Sequence, residues 1–208
     1  MQAQHIADQL KSALLRGEFA PGAKLKQEVL ASRFGASRIP VRDAFALLAQ
    51  MGLITLAPNK GAHVISMSRR DLREAFDLRV MLETDALRRA VGNFSQSQLA
   101  HLEQVQKHSD IDAHGPNWAE GDRTFHAALY APSGRPRQIA IIDQLRIACQ
   151  IQIAAYGALP SRTEDWLEDH RLMVEAVAVG GSETAVTHLE RHLRAAEAHL
   201  LDVMPPDA

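Results

Sequence analysis

Four ionisable side chains in the second half of the chain have types and spacings suited to metal binding. Asp122 and His126 are four residues apart, so on a helix they lie one above the other on the same side. His170 and His192 fall in two further stretches with helical patterns. One carboxylate and three imidazoles could ligate a divalent transition metal and leave positions for water or a ligand. Spacing alone leaves an alternative open, because a single helical histidine is more often hydrogen-bonded or exposed to solvent than metal-bound.

Two arginines near the N-terminus have a spacing suited to reading DNA. Arg38 and Arg42 are four residues apart, so they share one face of a helix, close to its N-terminal end. The opposite face is apolar and carries Val41, Ala44, Phe45 and Leu48. A helix that is apolar on one side and carries arginines near its start is typical of the recognition helix that enters the major groove of DNA.

The neighbouring residues indicate how this helix is positioned. Residues 30–47 predict two short helices joined by a turn at Gly35, with Ser37 as N-cap of the second helix and Pro40 in its first turn. Apolar residues at helical spacing between Ile6 and Leu14 predict an earlier amphipathic helix. Three helices in this order predict a helix-turn-helix unit.

A β-hairpin is predicted directly after these helices. Two short apolar segments, residues 53–56 and 62–65, flank a Pro-Asn-Lys-Gly turn. Three helices followed by a hairpin form a winged helix-turn-helix, and we expect Asn59, Lys60 and Gly61 at the wing tip to approach phosphates or the minor groove. The alternative is that the three helices serve only packing, which would leave the exposed arginines and the basic wing tip without a role.

Charge is distributed unevenly along the chain. The 208 residues carry a net charge of −2, but residues 1–66 carry +4 and the remaining residues carry −6. The basic segment would be held to DNA phosphates by counterion release, whereas the acidic remainder would be repelled from the duplex. Residues 1–66 contain neither Trp nor Tyr, which disfavours single-strand binding by base stacking. The sequence therefore predicts double-stranded DNA as the partner.

Composition favours a cytoplasmic protein without a membrane partner. Apolar residues make up 46% of the chain, enough for two modest cores or one large core. The single cysteine, Cys149, excludes an intrachain disulfide and fits a small buried residue in a helix. The first residues lack the basic-then-apolar pattern of a signal peptide, and no run reaches the roughly 18 apolar residues of a membrane span.

From about residue 68 onward the pattern predicts helices only. Apolar spacing, with glycine and proline between the segments, predicts six of them, at about residues 68–91, 95–110, 116–130, 136–157, 162–179 and 182–203. Loops this short favour an antiparallel bundle. The predicted fold class is mainly α, with a winged helix-turn-helix domain at 1–67 and an antiparallel six-helix bundle at 68–208.

Both halves of the chain resemble one family of transcription regulators, the GntR family. The N-terminal resemblance is carried by Ile6, Gly17, Pro21-Gly22, Leu25, Leu30-Ala31, Phe34-Gly35, Ser37-Arg38, Pro40-Val41-Arg42, Ala44, Leu47, Gly52-Leu53 and Pro58-Asn59-Lys60-Gly61. The second half resembles FCD, the all-helical ligand-binding domain of the FadR-like subgroup, at Leu78-Arg79, Leu82-Glu83, residues 122–126, Leu129, Ser133-Gly134, His170, Ala176 and His192-Leu193. Six helices rather than seven resemble the VanR-type branch.

The resemblance implies a repressor that binds palindromic double-stranded operator DNA as a homodimer. A small carboxylate effector would bind beside a divalent metal in the helical domain and change the relation of the two DNA-binding heads. The implied DNA contacts are Ser37, Arg38, Arg42, Asn59, Lys60 and Gly61. The implied metal ligands are Asp122, His126, His170 and His192, with zinc favoured and nickel, manganese or iron as alternatives.

At two positions this chain can differ from what the family resemblance implies. The resemblance implies that Arg79 binds the effector carboxylate, for which a guanidinium is a bidentate partner. The alternative for Arg79 is an ion pair with Glu83, four residues later. Ile39 stands where the family often has a hydroxyl residue, so we expect one phosphate contact fewer.

Two other function classes fit the same residues. The chain could be a helical metalloenzyme whose N-terminal domain only localises it, or an architectural DNA-binding dimer whose polar cluster is structural. No nucleophile and general-base set accompanies the four candidate ligands, so the regulator is favoured and no enzymatic activity is expected.

Overall fold

A computed structural model describes residues 2–57, 61–157 and 163–206, which fold into two compact units. The first unit comprises Met1–Met67 together with Ile147–Tyr156. Its elements up to residue 67 are α1 (Gln2–Leu15), β1 (Lys24–Leu25), α2 (Gln27–Arg33), α3 (Arg38–Gln50), β2 (Ile54–Ala57) and β3 (Gly61–Val64). The three predicted helices and the predicted hairpin are confirmed.

The three strands form one antiparallel sheet in the order β1-β3-β2. In the hairpin Ile54 pairs with Val64, and Ala57 pairs with Gly61. The sequence did not predict β1, which pairs Lys24 with His63. A strand of two residues is too short to show the alternation of apolar and polar side chains that identifies strands in a sequence.

Both ends of α3 are set by local backbone structure. Gly35 in the turn before it has φ +58°, a left-handed conformation that favours glycine. Ser37 occupies the N-cap position, as predicted, but its side chain makes no capping hydrogen bond. At the other end Gly52 has φ +72°, and the Leu53 N–H donates to the Leu48 carbonyl at 3.0 Å. This Schellman arrangement ends the helix and directs Leu53 into the core.

The core of the first unit holds α3 in place. Apolar side chains recur at helical spacing along α1 and α3 and are 0–1% exposed. They include Leu10, Leu14, Val41, Phe45 and Leu48. Burying a side chain of this kind contributes about 1.5–3 kcal/mol each. The face of α3 that points away from this core is exposed to solvent.

Gly17 is constrained by its surroundings as well as by its backbone. Its φ is +72°, and a Cβ at this position would lie 2.8 Å from the carbonyl oxygen of Ala154. Gly52 has the same φ, but no atom lies within 4 Å of a Cβ there. The two glycines therefore share one backbone strain and differ in steric contact.

We expect Gly17→Ala to lower the free energy of unfolding more than Gly52→Ala. Left-handed strain costs alanine about 1–2 kcal/mol at either position. Overpacking against the Ala154 backbone adds about 1–3 kcal/mol for Gly17 alone. Urea denaturation of both variants measures the difference, and equal losses would show that the close approach to Ala154 has no energetic effect.

The second unit comprises Ser68–Arg146 and Gly157–Ala208. Its helices are α4 (Arg69–Val91), α5 (Gln96–Asp112), α6 (Trp118–Tyr130), α7 (Pro136–Tyr156), α8 (Thr163–Ala178) and α9 (Ser182–Val203). Each predicted helix is confirmed, with ends shifted by at most two residues. Helix α7 contributes to both units, because its last ten residues are grouped with the first unit.

Local signals and packing define the bundle helices. Helix α4 begins with a capping box, in which the Ser68 hydroxyl accepts from the Asp71 N–H and the Asp71 carboxylate accepts from the Ser68 N–H. The fully buried side chains of the bundle include Leu72, Phe76, Leu87, Leu102 and Phe125. Cys149 in α7 is buried, as predicted. Across the part of the chain that the structure describes, no helix is both long and apolar enough to cross a membrane.

Candidate nucleic-acid interface and metal centre

The structure places Arg38 and Arg42 on the exposed face of α3. Both side chains are 68% exposed. The nearest acidic atoms are Glu28 Oε1, at 3.3 Å from Arg38 Nη1, and Asp43 Oδ1, at 3.6 Å from Arg42 Nη2. Exposed ion pairs of this kind contribute about 1 kcal/mol or less, so both guanidinium groups remain available to another anion.

Of the other sequence-predicted DNA contacts, the structure describes Ser37 and Gly61. Ser37 is exposed, directly before the two arginines. Ile39 is 62% exposed on this face, although it is apolar. Gly61 begins β3 with φ +91°, whereas Asn59 and Lys60 lie outside the described residues.

The wing also carries a cation that was not predicted from the sequence. Lys24 on β1 is exposed, and a Cβ built on Gly61 would lie 3.4 Å from Lys24 Cε. The Lys24 side chain therefore lies beside the start of β3, close to the predicted wing tip. Only the pairing of β1 with β3 reveals this position, because Lys24 and Gly61 are far apart in sequence.

The four predicted metal ligands come together inside the second unit. Asp122, His126, His170 and His192 each offer one ligand atom, and these atoms all lie within 4.8 Å of one another. The Asp122 Oδ1 oxygen lies 3.5 Å from His126 Nε2 and 3.7 Å from His170 Nε2. Metal–ligand distances of 2.0–2.2 Å place the ligand atoms of a tetrahedral zinc site roughly 3.4 Å apart. The spacing therefore suits a metal ion after small side-chain adjustments.

Unsatisfied nitrogen atoms in this cluster support the same fit. Nε2 of His126 and Nε2 of His170 are buried and have no hydrogen-bond partner among the described residues. A buried polar atom without a partner is costly, and native structures usually satisfy such atoms. A metal ion would satisfy both nitrogens at once. The donor set of three imidazoles and one carboxylate suits a divalent transition metal.

The protonation states of the cluster also suit a metal ion. Burial, together with the Arg146 guanidinium, lowers the pKa of His126 to about 4. Burial and the neighbouring His192 and His126 hold the pKa of His170 well below its usual value. Burial alone would raise the pKa of Asp122, but the attraction of Arg146 and the imidazoles keeps it well below the usual range. Neutral imidazoles and an ionised carboxylate are the forms that bind a metal.

One candidate ligand is hydrogen-bonded to a group outside the cluster, and a second lies near an acidic side chain. The Nδ1 atom of His126 lies 2.9 Å from the hydroxyl of Tyr130, which donates to Glu83 Oε2 at 2.6 Å. The Nδ1 atom of His192 lies 3.6 Å from Asp169 Oδ2, which is beyond hydrogen-bond distance. The hydrogen bond of His126 Nδ1 to the Tyr130 hydroxyl leaves Nε2 of that ring free to bind a metal and fixes the ring orientation.

Glu83 is the centre of the buried charge network beside the cluster. Its Oε2 atom accepts from Arg146 Nη1 at 2.6 Å, and Arg146 Nη2 donates to Asp122 Oδ2 at 2.6 Å. Burial alone would raise the pKa of Glu83, but Arg146 and Arg79 lower it to about 2. Arg146 therefore connects the ionised Glu83 with the candidate ligand Asp122.

Arg79 forms an ion pair with Glu83, which is the alternative role that the sequence indicated for it. It is 4% exposed, and its Nε donates to Glu83 Oε1 at 2.7 Å. Its guanidinium carbon also lies 4.7 Å from the ring centroid of Phe76. The predicted contact between Arg79 and an effector therefore stays a prediction.

Two small pockets flank the cluster. One, of about 20 Å³, lies among α5, α6 and α8, and Asp122 and His170 are part of its wall. The other, of about 10 Å³, lies between α6 and α7, and its wall includes His126, Tyr130 and Arg146. Arg79 lines neither of these two pockets.

We expect Tyr130→Phe to weaken zinc binding about 10–100-fold. The variant removes the hydroxyl that holds His126 Nδ1 and keeps the ring. A competition titration against a chromophoric chelator measures the affinity. Tyr156→Phe is the matched control, because it removes the only other tyrosine hydroxyl of the chain, and it should leave zinc affinity unchanged. Equal affinities of Tyr130→Phe and wild type would show that Tyr130 does not support the site.

The groups that surround the cluster were not predicted from the sequence. Glu83 was expected only as a partner for Arg79, and no role was predicted for Tyr130, Arg146 or Asp169. One local signal was available, since Tyr130 follows His126 by four residues and so lies on the same helical side.

Comparison with known proteins assigns both units to described families. Residues 2–64 match the family described as "Bacterial regulatory proteins, gntR family". Residues 74–195 match the FCD domain, which spans more than half of the chain. The candidate metal ligands all fall within the FCD match, and the arginines of α3 fall within the GntR match.

Several relatives have a described role or structure. The transcriptional repressor GlaR of Escherichia coli is 33% identical over 195 residues, which cover 88% of this chain and 89% of GlaR. A probable repressor of a D-xylose utilization operon in Paenarthrobacter nicotinovorans is 28% identical, with coverage of 93% and 86%. The structure of E. coli McbR/YncC is similar in fold, with a TM-score of 0.84, 24% identity and coverage of 97% and 98%.

These matches agree with the exposed arginines of α3 and the helical second unit. A DNA-binding head of the GntR type precedes an FCD domain, and the relatives that span most of the chain are transcriptional regulators. The chain belongs to the GntR family of bacterial DNA-binding transcriptional regulators and carries an FCD domain.

Proposed function

We propose that this regulator is a repressor whose operator affinity is controlled by a small carboxylate effector bound beside a divalent metal. The observation that carries the proposal is the cluster of Asp122, His126, His170 and His192, whose ligand atoms lie within 4.8 Å. Residues 1–67 would form the DNA-binding domain, and residues 68–208 would form the effector-binding and dimerisation domain. The protein would act in the bacterial cytoplasm, where its operator DNA lies.

On the DNA side, a homodimer would place two copies of α3 on a palindromic operator. Arg38 and Arg42 would contact base edges or phosphates, since both are exposed and only weakly paired. Ser37 and the wing residues Asn59, Lys60 and Gly61 would position the domain on the backbone. The role of repressor is supported by the two relatives named as repressors.

On the effector side, the buried cluster would hold the metal, and a bound metal would supply positive charge and free coordination positions for a carboxylate. The surrounding network is already neutralised, because the two cations Arg79 and Arg146 are balanced by the carboxylates of Glu83 and Asp122. A carboxylate effector would therefore depend on the metal for most of its electrostatic attraction. The effector would be bound and released unchanged, in agreement with the regulatory role of the relatives.

The proposal is tested by selecting operators from random duplex DNA with the zinc-loaded protein. We expect an inverted repeat bound by a dimer, and transcription in vitro from a promoter that overlaps this repeat should fall on addition of protein. A panel of small carboxylic acids is then added, and at least one should change operator affinity in the zinc-loaded protein but not in the zinc-free protein. Recovery of single, unrepeated sites would contradict the dimer model. Acid effects that are independent of zinc would contradict metal-assisted effector binding.

A further inference from the structure

An exposed isoleucine stands in the first turn of α3, between the two arginines that are proposed to contact DNA. Ile39 directly follows Arg38 and precedes Arg42 by three residues. We infer that Ile39 recognises the C5 methyl group of a thymine in the major groove, so that each operator half-site contains a thymine beside the bases that the arginines contact. This inference rests on the proposed placement of α3 in the major groove.

The first observation is the position of Ile39 on the helix. Ile39 is 62% exposed, whereas Leu48 of the same helix is 0% exposed. At 3.6 residues per turn, Ile39 lies roughly 180° from Leu48 and about 60° from Arg42 around the helix axis. Ile39 therefore lies at the centre of the face that points away from the core. It is also the second residue of α3, and the N-terminal residues of a recognition helix are those that contact base edges.

The second observation is the set of side chains that this face offers to DNA. The structure describes every residue from 38 to 46, and the exposed ones are Arg38, Ile39, Arg42, Asp43 and Ala46. Arginine is the usual partner of guanine, whereas adenine is usually read by Asn or Gln, and this set contains neither amide. The remaining mark of an A·T pair in the major groove is the thymine methyl group, for which an aliphatic side chain is the partner. Ile39 is the largest aliphatic side chain of the set.

The chemistry of isoleucine favours a base contact over a phosphate contact. Its side chain has no hydrogen-bond donor, so Ile39 cannot bind a phosphate oxygen as a hydroxyl residue could. Contact with a methyl group removes apolar surface of both partners from water, which is favourable. A β-branched side chain in a helix has one strongly preferred χ1 rotamer, so the contact costs little side-chain entropy. An isoleucine at this position therefore exchanges a contact with the DNA backbone for a contact with a base.

The test replaces each thymine of an operator selected by the wild-type protein with deoxyuridine, which keeps the base pair and removes the C5 methyl group alone. Fluorescence anisotropy measures the affinity of the full-length protein for each operator. For the wild-type protein we expect one thymine in each half-site whose replacement lowers operator affinity about 4-fold, the value of one buried methyl group. Replacing both of these thymines should lower it roughly 15-fold, because contacts at well-separated positions are nearly additive.

Two variants assign the methyl contact to a side chain. Ile39→Ser should bind the thymine and deoxyuridine operators with equal affinity, because serine has no apolar group that reaches the methyl. Ile111→Ser is the matched control, since it makes the same change at an isoleucine of α5 that is 75% exposed in the second unit. This control should keep the 4-fold preference of the wild-type protein for thymine. Both variants should melt close to the wild-type temperature, because both side chains are exposed.

Three results would overturn the inference: a wild-type protein that binds every deoxyuridine operator as well as the thymine operator, a preference for thymine that persists in Ile39→Ser, or a changed oligomeric state of Ile39→Ser without DNA. The last result would assign Ile39 to a contact between protein chains. Arg42→Ala, measured on the same operators, separates the inference from the proposed placement of α3. Weakened binding by Arg42→Ala together with a persistent thymine preference in Ile39→Ser contradicts the inference alone. Wild-type binding by Arg42→Ala, without any effect of deoxyuridine, contradicts the placement of α3 as well.

Discussion

Zinc affinity should fall more than about 100-fold when His192 is replaced by alanine. Loss of groups that only orient metal ligands costs about 10–100-fold, and loss of a ligand itself should cost more. His192 is 4% exposed and contributes one of the four clustered ligand atoms. A competition titration with a chelator of known affinity measures the change, and the zinc content of the purified variant gives a second reading.

His188→Ala is the control for this prediction. His188 lies one turn before His192 on α9, but it is not part of the cluster. We expect its replacement to leave zinc affinity within a few-fold of wild type. The His192→Ala variant should still bind operator DNA without added acid, because α3 is unchanged. Wild-type zinc affinity in His192→Ala would contradict the ligand assignment, and an equal loss in His188→Ala would assign that histidine to the site.

Operator affinity should fall at least about 10-fold when Arg42 is replaced by alanine. A bidentate contact between an arginine and a base contributes about 1–3 kcal/mol, and 1.4 kcal/mol corresponds to a factor of ten. Arg42 is 68% exposed, and its weak pair with Asp43 does not hold it away from DNA. Fluorescence anisotropy with an operator selected by the wild-type protein measures the change.

The control for Arg42 removes an equal charge from the other unit. Arg171 on α8 is exposed and pairs with Glu168 and Glu175, so Arg171→Ala tests the effect of net charge alone. We expect it to change operator affinity less than about 2-fold. Both variants should melt close to the wild-type temperature, since exposed arginines contribute little to stability. An Arg42→Ala protein with undiminished operator affinity would show that α3 does not read the operator through this residue.

The parts of this fold that could be predicted from the sequence are those with long periodic signals. The six helices of the second unit have apolar spacing over three or more turns, with glycine or proline between them. The turn at Gly35 and the end of α3 at Gly52 depend on left-handed backbone conformations that favour glycine. These features depend on residue types that are close together in the chain, so the sequence alone indicates them.

The features that were missed depend on contacts between distant residues. Strand β1 exists because Lys24 and Leu25 pair with β3, about forty residues later. Glu83 is balanced by Arg146, which lies on another helix. Neither partner has a spacing in the sequence that indicates the other. Packing of the helices creates this network, and only the folded structure reveals it.

The four candidate metal ligands could be predicted only in part from the sequence. The four-residue spacing of Asp122 and His126 indicated one helical side, but it could not show that His170 and His192 would join them. Their residue type and helical placement made these two histidines candidates, the family resemblance strengthened that prediction, and the structure brings all four side chains together. The pairing of Arg79 with Glu83 shows the opposite case, because the structure contains the ion pair that spacing alone suggested.

Anomalous X-ray diffraction at the zinc absorption edge, from crystals of the zinc-loaded protein, tests most directly whether these four side chains form one metal site. We expect a single strong peak within about 2.0–2.2 Å of a carboxylate oxygen of Asp122 and one nitrogen each of His126, His170 and His192. An anomalous map without a peak among these side chains, or with zinc held by other residues, would contradict the proposed metal centre.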